Sequence, residues 1–147
     1  MTTAQDPFDL ERFVQAQDAG ATYDRALEEL RRGRKTSHWM WFVFPQIAGL
    51  GASPMAQRYS IASLEEARAY LGHPVLGPRL VDCAHATLRS DAARAVDIFG
   101  SIDAIKLRSS MTLFTRADPD EPAFGQVLDR FYGSRPDPAT DERLGIV

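Results

Sequence analysis

The stretch "RKTSHWMWFVFPQ", residues 34–46, combines aromatic rings with cationic and hydrogen-bonding side chains. Guanidinium and ammonium groups bind phosphate through charge-assisted hydrogen bonds, and aromatic faces stack on planar bases. The combination predicts a pocket for a small phosphorylated, nucleotide-like ligand. The predicted ligand-binding residues of this stretch are Arg34, Lys35, Ser37, His38, Trp39, Trp41 and Gln46.

The same stretch also fits a purely structural role. Large aromatic side chains are mostly buried in protein cores, and cations that follow a helix C-terminus interact favourably with the helix dipole. His38 and Gln46 carry hydrogen-bonding groups that a purely structural core segment does not need, which favours a position at the mouth of a pocket. If Ser37 caps a helix that begins at His38, backbone amides there would also point at an anion. The sequence leaves both interpretations open.

A second polar cluster lies in "SIDAIKLRSSMTLF", residues 101–114. Apolar residues surround most of this predicted helix, which is typical of a central helix. Asp103, Lys106 and Ser110 share one stripe, with Ser109 beside them. A lysine on a mostly buried helix has to be paired or has to face a cavity. Asp103 and Lys106 are therefore either a surface ion pair or part of a polar cluster in the predicted pocket.

Two functions follow from these clusters. In the first, the protein binds, and in one version hydrolyses, the nucleotide-like ligand. Asp103 and Lys106 are then the candidate catalytic residues, with Asp103 activating water or stabilising an oxocarbenium-like centre, and Ser109 and Ser110 also bind the ligand. In the second, the protein is a noncatalytic interaction module or homo-oligomer that uses an exposed aromatic patch, since tryptophan and arginine are favoured at interface hot spots.

Composition narrows the list of partners. The 17 basic and 20 acidic side chains give a net charge of −3, which argues against binding of a nucleic-acid duplex or an anionic membrane. The lone Cys83 has no cysteine partner for a disulfide, and the start of the chain does not have the pattern of a signal peptide, so we expect a cytoplasmic monomer or homodimer.

No cofactor or metal is expected. His73 and His85 have no carboxylate or cysteine at metal-ligand spacing. The glycines of "GLGASPM", residues 49–55, lack the spacing of a dinucleotide-binding fingerprint, and we predict a turn there.

The segments of the chain that must position these residues are predicted to be helices. Cap residues and one-face apolar spacing predict helix starts near Asp6, Thr22, Ser53, Ser63, Pro74 or Pro78, Asp91, Ser101 and Glu121. Sustained period-2 alternation is absent except for "WMWFVF". We therefore predict an all-α, compact single-domain multihelical bundle of about seven helices over residues 1–147, with its core in 6–133 and an irregular tail in 134–147.

Three longer strings resemble a known family. The strings "SHWMWFVFPQIAGLGASPMAQRYSI", "AYLGHPVLGPRL" and "IFGSIDAIKLRSSMTLF" resemble the bacterial family called domain of unknown function 1810, sometimes labelled calpastatin. The resemblance implies an all-helical fold and no established activity. A calpain inhibitor is a long disordered repeat protein, whereas this chain has the composition of a folded core. A weaker similarity, of fold and general character only, links the chain to the small helical NADAR domains, which remove ADP-ribose from nucleobases.

Overall fold

Helices dominate the part of the chain that the structure, a computed structural model, describes, which is residues 6–146. Its α-helices are α1 Glu11–Asp18, α2 Thr22–Arg31, α3 Met40–Val43, α4 Pro54–Arg58, α5 Leu64–Gly72, α6 Leu76–Arg89, α7 Ala95–Ala117, α8 Pro122–Phe131 and α9 Pro138–Leu144. The predicted all-α class is confirmed. Residues 1–5 of the predicted chain start and residue 147 of the predicted tail lie outside the described residues.

Short polar side chains start several helices as the sequence predicts. Ser53 Oγ accepts a hydrogen bond from the Ala56 amide at 3.1 Å, and Ser63 Oγ accepts one from the Glu66 amide at 3.1 Å. Each contact satisfies a backbone donor that has no partner within the first turn of a helix. The polar starts of α4 and α5 are therefore set by local sequence.

Two local predictions are wrong. Ser37 does not cap a helix at His38: the helix in the aromatic stretch begins at Met40, and the Ser37 hydroxyl donates to Glu29. That helix, α3, lies within "WMWFVF", the one stretch with period-2 alternation. The tail is not irregular: Asp137 caps α9, its carboxylate accepting from the Thr140 amide at 3.2 Å and the Thr140 hydroxyl at 2.6 Å.

The helix α7 is central, as its apolar circumference predicts. It packs on α5, α8 and α9, and its Leu107, Met111 and Phe114 side chains are fully buried. Gly100, with φ of 79°, interrupts α7 where the sequence predicts the boundary between two helices. A break at this point lets the residues on either side approach different neighbours.

Aromatic rings connect the layers of the core. Phe114 packs on Tyr70 of α5 with ring centroids 5.3 Å apart and on Phe124 of α8 at 5.9 Å. Within the described residues, no helix combines the length and the apolar character needed to cross a membrane.

Close packing of α5 against the start of α6 generates a testable prediction. A Cβ placed on Gly77 would lie 2.1 Å from the backbone oxygen of Leu71, which cannot move without shifting α5. We expect Gly77→Ala to lower the free energy of unfolding by about 2 kcal/mol or more in urea titrations.

Gly125→Ala on α8 is the matched control, since a Cβ there meets nothing within 4 Å. That variant should be neutral or more stable by up to about 1 kcal/mol, because alanine favours a helix over glycine. Equal stability of the two variants would contradict the close α5–α6 contact.

Candidate ligand-binding site

One buried carboxylate on α2 holds the segment that precedes α3. Glu29, only 1% exposed, accepts hydrogen bonds from the Thr36 amide at 2.8 Å, the Ser37 amide at 3.1 Å and the Ser37 hydroxyl at 2.6 Å. The indole Nε1 of Trp39 donates a fourth bond to Glu29 at 2.9 Å. The carboxylate therefore fixes the backbone and one side chain of residues 36–39.

The charge state of Glu29 follows from these contacts. Burial alone raises the pKa of its carboxyl group, but the hydrogen bonds from Ser37, Thr36 and Trp39 outweigh burial and lower the pKa from 4.5 to about 2. Sequence reasoning missed this residue. The sequence pattern that could have identified Glu29 is its position on the apolar face of α2, next to Leu30 and three residues after Ala26.

Trp39 belongs to the core and not to a pocket. Its side chain is fully buried, with its ring centroid 6.2 Å from that of Phe44 and 6.5 Å from that of Phe99. An indole enclosed in this way cannot stack on a ligand, so the structural interpretation applies to Trp39.

The cations of the aromatic stretch take different positions. Arg34 and His38 are exposed, and their side chains make no hydrogen bond or ion pair with any other described residue. The Lys35 side chain is only 8% exposed; its Nζ lies 2.9 Å from Asp103 Oδ2 and 5.0 Å from the Trp39 ring centroid. Lys35 is thus committed to Asp103 and does not reach outward to a phosphate.

The two predicted polar segments meet at Asp103. Its other oxygen, Oδ1, lies 3.7 Å from Lys106 Nζ, and that ammonium group lies 5.3 Å from the ring centroid of Trp41. The backbone reinforces the contact, since the Lys35 amide donates to the Ile98 carbonyl at 2.8 Å. Lys106 is therefore both ion-paired and placed beside the aromatic stretch.

The two serines of α7 do not join this cluster. Ser109 Oγ donates to Asp137 Oδ2 at 2.9 Å, on the C-terminal segment that precedes α9. Ser110 is fully buried, its hydroxyl has no partner among the described residues, and it does not line the cavity beside Trp41. The predicted grouping of both serines with Lys106 is wrong, because Ser109 binds the segment that precedes α9 and Ser110 is enclosed in the core away from the cavity.

A cavity of about 190 Å³ adjoins Trp41, which is partly exposed. Gln46 also lines it, so two of the predicted ligand-binding residues share this cavity. The lining residues are Trp41, Gln46, Ile47, Ala48, Gly49, Gly51, Ala56, Gln57, Tyr59 and Ser60. Aromatic rings, amides and hydroxyls thus surround one hollow.

Backbone pairing joins the two segments that form most of the wall. The Ala48 amide donates to the Ile61 carbonyl, and the Ile61 amide donates to the Gln46 carbonyl, both at 2.8 Å. These bonds form an isolated parallel bridge between Ile47 and Ile61. A short backbone pairing therefore joins the two loops that form most of the cavity wall.

Arg12 of α1 supports the wall from behind. Its Nε donates to the Arg58 carbonyl at 2.9 Å, and its Nη2 donates to the Ser60 carbonyl at 2.8 Å and to Glu66 Oε2 at 2.9 Å. The Glu66 side chain is only 4% exposed, which makes this a buried ion pair. Sequence reasoning missed Arg12 and Glu66, and their separation in sequence leaves no local pattern that would pair them.

The remaining histidine, cysteine and carboxylate side chains bear on metal binding and nucleophilic chemistry. No group of three or more histidine, cysteine, aspartate or glutamate side chains in residues 6–146 is placed to hold a metal ion. Burial raises the pKa of the Cys83 thiol to about 12, so this cysteine stays protonated and inert at neutral pH.

The Glu29 contacts predict an acid-sensitive stability. Because its folded pKa lies below its unfolded value, the charged carboxylate stabilises the fold above about pH 4.5, and this contribution is lost as the pH falls towards 2. We expect Glu29→Gln to lower the free energy of unfolding by roughly 3 kcal/mol at pH 7 in urea titrations. The difference from the wild type should shrink at pH 3.

Glu28→Gln is the matched control. The Glu28 side chain is 68% exposed and lies 4.0 Å from Arg32, so its substitution should change stability by less than about 1 kcal/mol at either pH. If the Glu29→Gln protein were as stable as this control, the stabilising role of the Glu29 hydrogen bonds would be contradicted.

Comparison with known proteins gives the family and the fold. The family model described as "Protein of unknown function (DUF1810)" matches residues 7–144. The crystal structure of the conserved hypothetical protein Rv1873 from Mycobacterium tuberculosis is 50% identical to this chain, covers 96% of it and 99% of its own chain, and superposes with a TM-score of 0.92. No curated protein matches the chain. Since the family model spans nearly all of the sequence, the chain belongs to the DUF1810 family of proteins of unknown function.

Proposed function

We propose that this protein binds a small phosphorylated ligand with a planar ring, such as a nucleotide or an ADP-ribose derivative. The ring would occupy the cavity beside Trp41. The observation that carries the proposal is Trp41 itself, a partly exposed indole that lines a hollow and has the Lys106 ammonium group 5.3 Å from its ring centroid. An indole face attracts a planar base, and a nearby cation favours an anionic ligand.

Polar groups in the lining support recognition of a ring edge. Four residues with amide or hydroxyl side chains, Gln46, Gln57, Tyr59 and Ser60, are among those that line the cavity. Amides and hydroxyls both donate and accept hydrogen bonds, as the edges of nucleobases do. Specificity for one ring would follow from a few such groups in a mostly apolar hollow.

The size of the cavity limits what it can enclose. Its volume of about 190 Å³ is below the roughly 300–1,000 Å³ of pockets that surround a whole drug-sized ligand. One ring system would fit, and a sugar phosphate or diphosphate attached to it would remain outside. The phosphate would therefore meet groups at the rim and not groups inside the cavity.

Binding is better supported than hydrolysis. None of the ten lining residues carries a carboxylate that could act as a general acid or base. Asp103 lies between two ammonium groups, at 2.9 Å from Lys35 and 3.7 Å from Lys106, and does not border the cavity. We therefore assign Asp103 a role in holding the two lysines and propose that the protein is a ligand-binding or sensing module. Its free, buried cysteine favours a cytoplasmic setting.

The alternative function, an interaction module, has weaker support. Among residues 6–146, the large exposed hydrophobic side chains include no aromatic residue; the most exposed are Ile102 at 70% and Ile105 at 69%. A stable interface buries about 800 Å² on each partner, which two isoleucines cannot supply. An exposed aromatic patch, on which this alternative depends, is thus absent from the described part of the chain.

The proposal predicts ligand-dependent thermal stabilisation. Adenine, adenosine, AMP, ADP-ribose, ribose 5-phosphate and inorganic phosphate form a suitable panel. A true ligand at 100 times its dissociation constant should add about 2.7 kcal/mol to the free energy of unfolding, which differential scanning fluorimetry detects as a raised Tm. Trp41→Ala should abolish the shift, because it removes the ring on which the ligand would stack.

A second lining variant and one matched control make the test specific to the cavity. Gln57→Ala alters the lining and should weaken binding, whereas Gln126→Ala changes an exposed glutamine of α8 and should leave it unchanged. Absence of any shift across the panel, with a normal unfolding transition, would contradict the proposed function.

A further inference from the structure

The guanidinium group of Arg143, on α9, lies against the wall of the cavity. Its Nη2 donates to the Gly49 carbonyl at 3.3 Å, and Gly49 is one of the lining residues. A Cβ on residue 49 would lie 2.6 Å from Arg143 Cζ and Nη1, and Gly49 has a φ of 97°. The positive φ favours glycine, and a side chain at residue 49 would have to displace the guanidinium group of Arg143.

The charge of Arg143 is not neutralised by any described carboxylate. Arg116 of α7 shows the contrast, because its guanidinium group makes two contacts with the Asp141 carboxylate of α9, both at 2.8 Å. Lys35 and Lys106 likewise share Asp103. Arg143 has no aspartate or glutamate oxygen within 4.0 Å in residues 6–146, and its side chain is exposed. It remains available for an anion from solution.

Backbone donors lie in the same loop. The amides of residues 49–52 make no hydrogen bond with any described residue, and Gly49 and Gly51 both border the cavity. Successive amides that lack a protein partner can bind an anion together with a guanidinium group. The turn that the sequence predicts in "GLGASPM" thus lies at the cavity wall and carries amides that have no partner among the described residues.

We propose that Arg143 is the phosphate-binding residue of the cavity, and that the preferred ligand class is a nucleoside monophosphate. The ring lies beside Trp41, and the phosphate extends past Gly49 to the guanidinium group. This inference rests on the proposed function and refines it, because it moves phosphate recognition from Arg34 and Lys35 to the C-terminal helix. A guanidinium fork suits a phosphate with two hydrogen bonds, which an ammonium group cannot match.

Adenosine and AMP test the inference, since they differ only in the phosphate. Isothermal titration calorimetry on the full chain would give the ratio of their dissociation constants. We expect the wild type to bind AMP about ten- to a hundredfold more tightly than adenosine, the range of one or two charge-assisted hydrogen bonds. Arg143→Ala should bring the ratio close to one and leave the adenosine dissociation constant unchanged.

Further variants separate the possible outcomes. Arg25→Ala is the matched control, because Arg25 also donates to a glycine carbonyl, that of Gly20 at 2.8 Å, but is not near the cavity lining; it should keep the wild-type ratio. Gly49→Ala should reduce the preference for AMP by displacing the guanidinium group. Circular dichroism and a thermal melt would verify that each variant is folded.

Two results would overturn the inference in distinguishable ways. If Arg143→Ala keeps the wild-type preference for AMP and Lys106→Met loses it, the phosphate lies at Lys106; the inference then fails while the proposed function stands. If neither adenosine nor AMP binds the wild type, the inference fails, and the proposed function fails with it only if ADP-ribose and the rest of the thermal-shift panel also do not bind.

Discussion

The buried carboxylate of Glu29 is the interaction on which the candidate site depends. Four donors from residues 36–39 converge on it, so the chain enters α3 in one fixed direction. Because its indole donates to Glu29, Trp39 is drawn into the core. Trp41, two positions later in the first turn of α3, is partly exposed and lines the cavity. The contacts with Glu29 therefore hold one tryptophan in the core, while the other remains at the cavity wall.

Charge pairing explains why the cations near the aromatic stretch have different roles. A lysine as enclosed as Lys35 requires a partner, since an unpaired buried charge is strongly destabilising. Asp103 supplies that partner from α7 and at the same time holds Lys106 beside Trp41. The ion pairs thus join α7 to the aromatic stretch, while Arg143 at the cavity wall has no carboxylate partner among residues 6–146. A local excess of positive charge can therefore exist in a chain whose net charge is −3.

How far the sequence predicts this arrangement depends on the distance between partners along the chain. Local signals succeed, as at Ser53, Ser63 and the break at Gly100, because the donor and acceptor, or the strained residue, lie within one turn. The convergence of residues 34–46 with 101–114 is also predictable, since a lysine on a central helix needs a polar partner. The pairs Arg12–Glu66 and Gly49–Arg143 have no such signal, because tertiary packing alone brings them together.

The geometry of the cavity agrees better with the proposed binding of a ligand than with its hydrolysis. A hydrolase has to surround the reacting bond with fixed dipoles and exclude bulk water from it. Here only a ring would be enclosed, and the bond between ring and sugar would lie near the mouth, where solvent has access. The one carboxylate of the cluster, Asp103, is already engaged by two ammonium groups. A hollow that encloses a ring and leaves the phosphate at an exposed guanidinium group suits reversible recognition, with the ring conferring specificity and the phosphate conferring a salt-dependent share of the affinity.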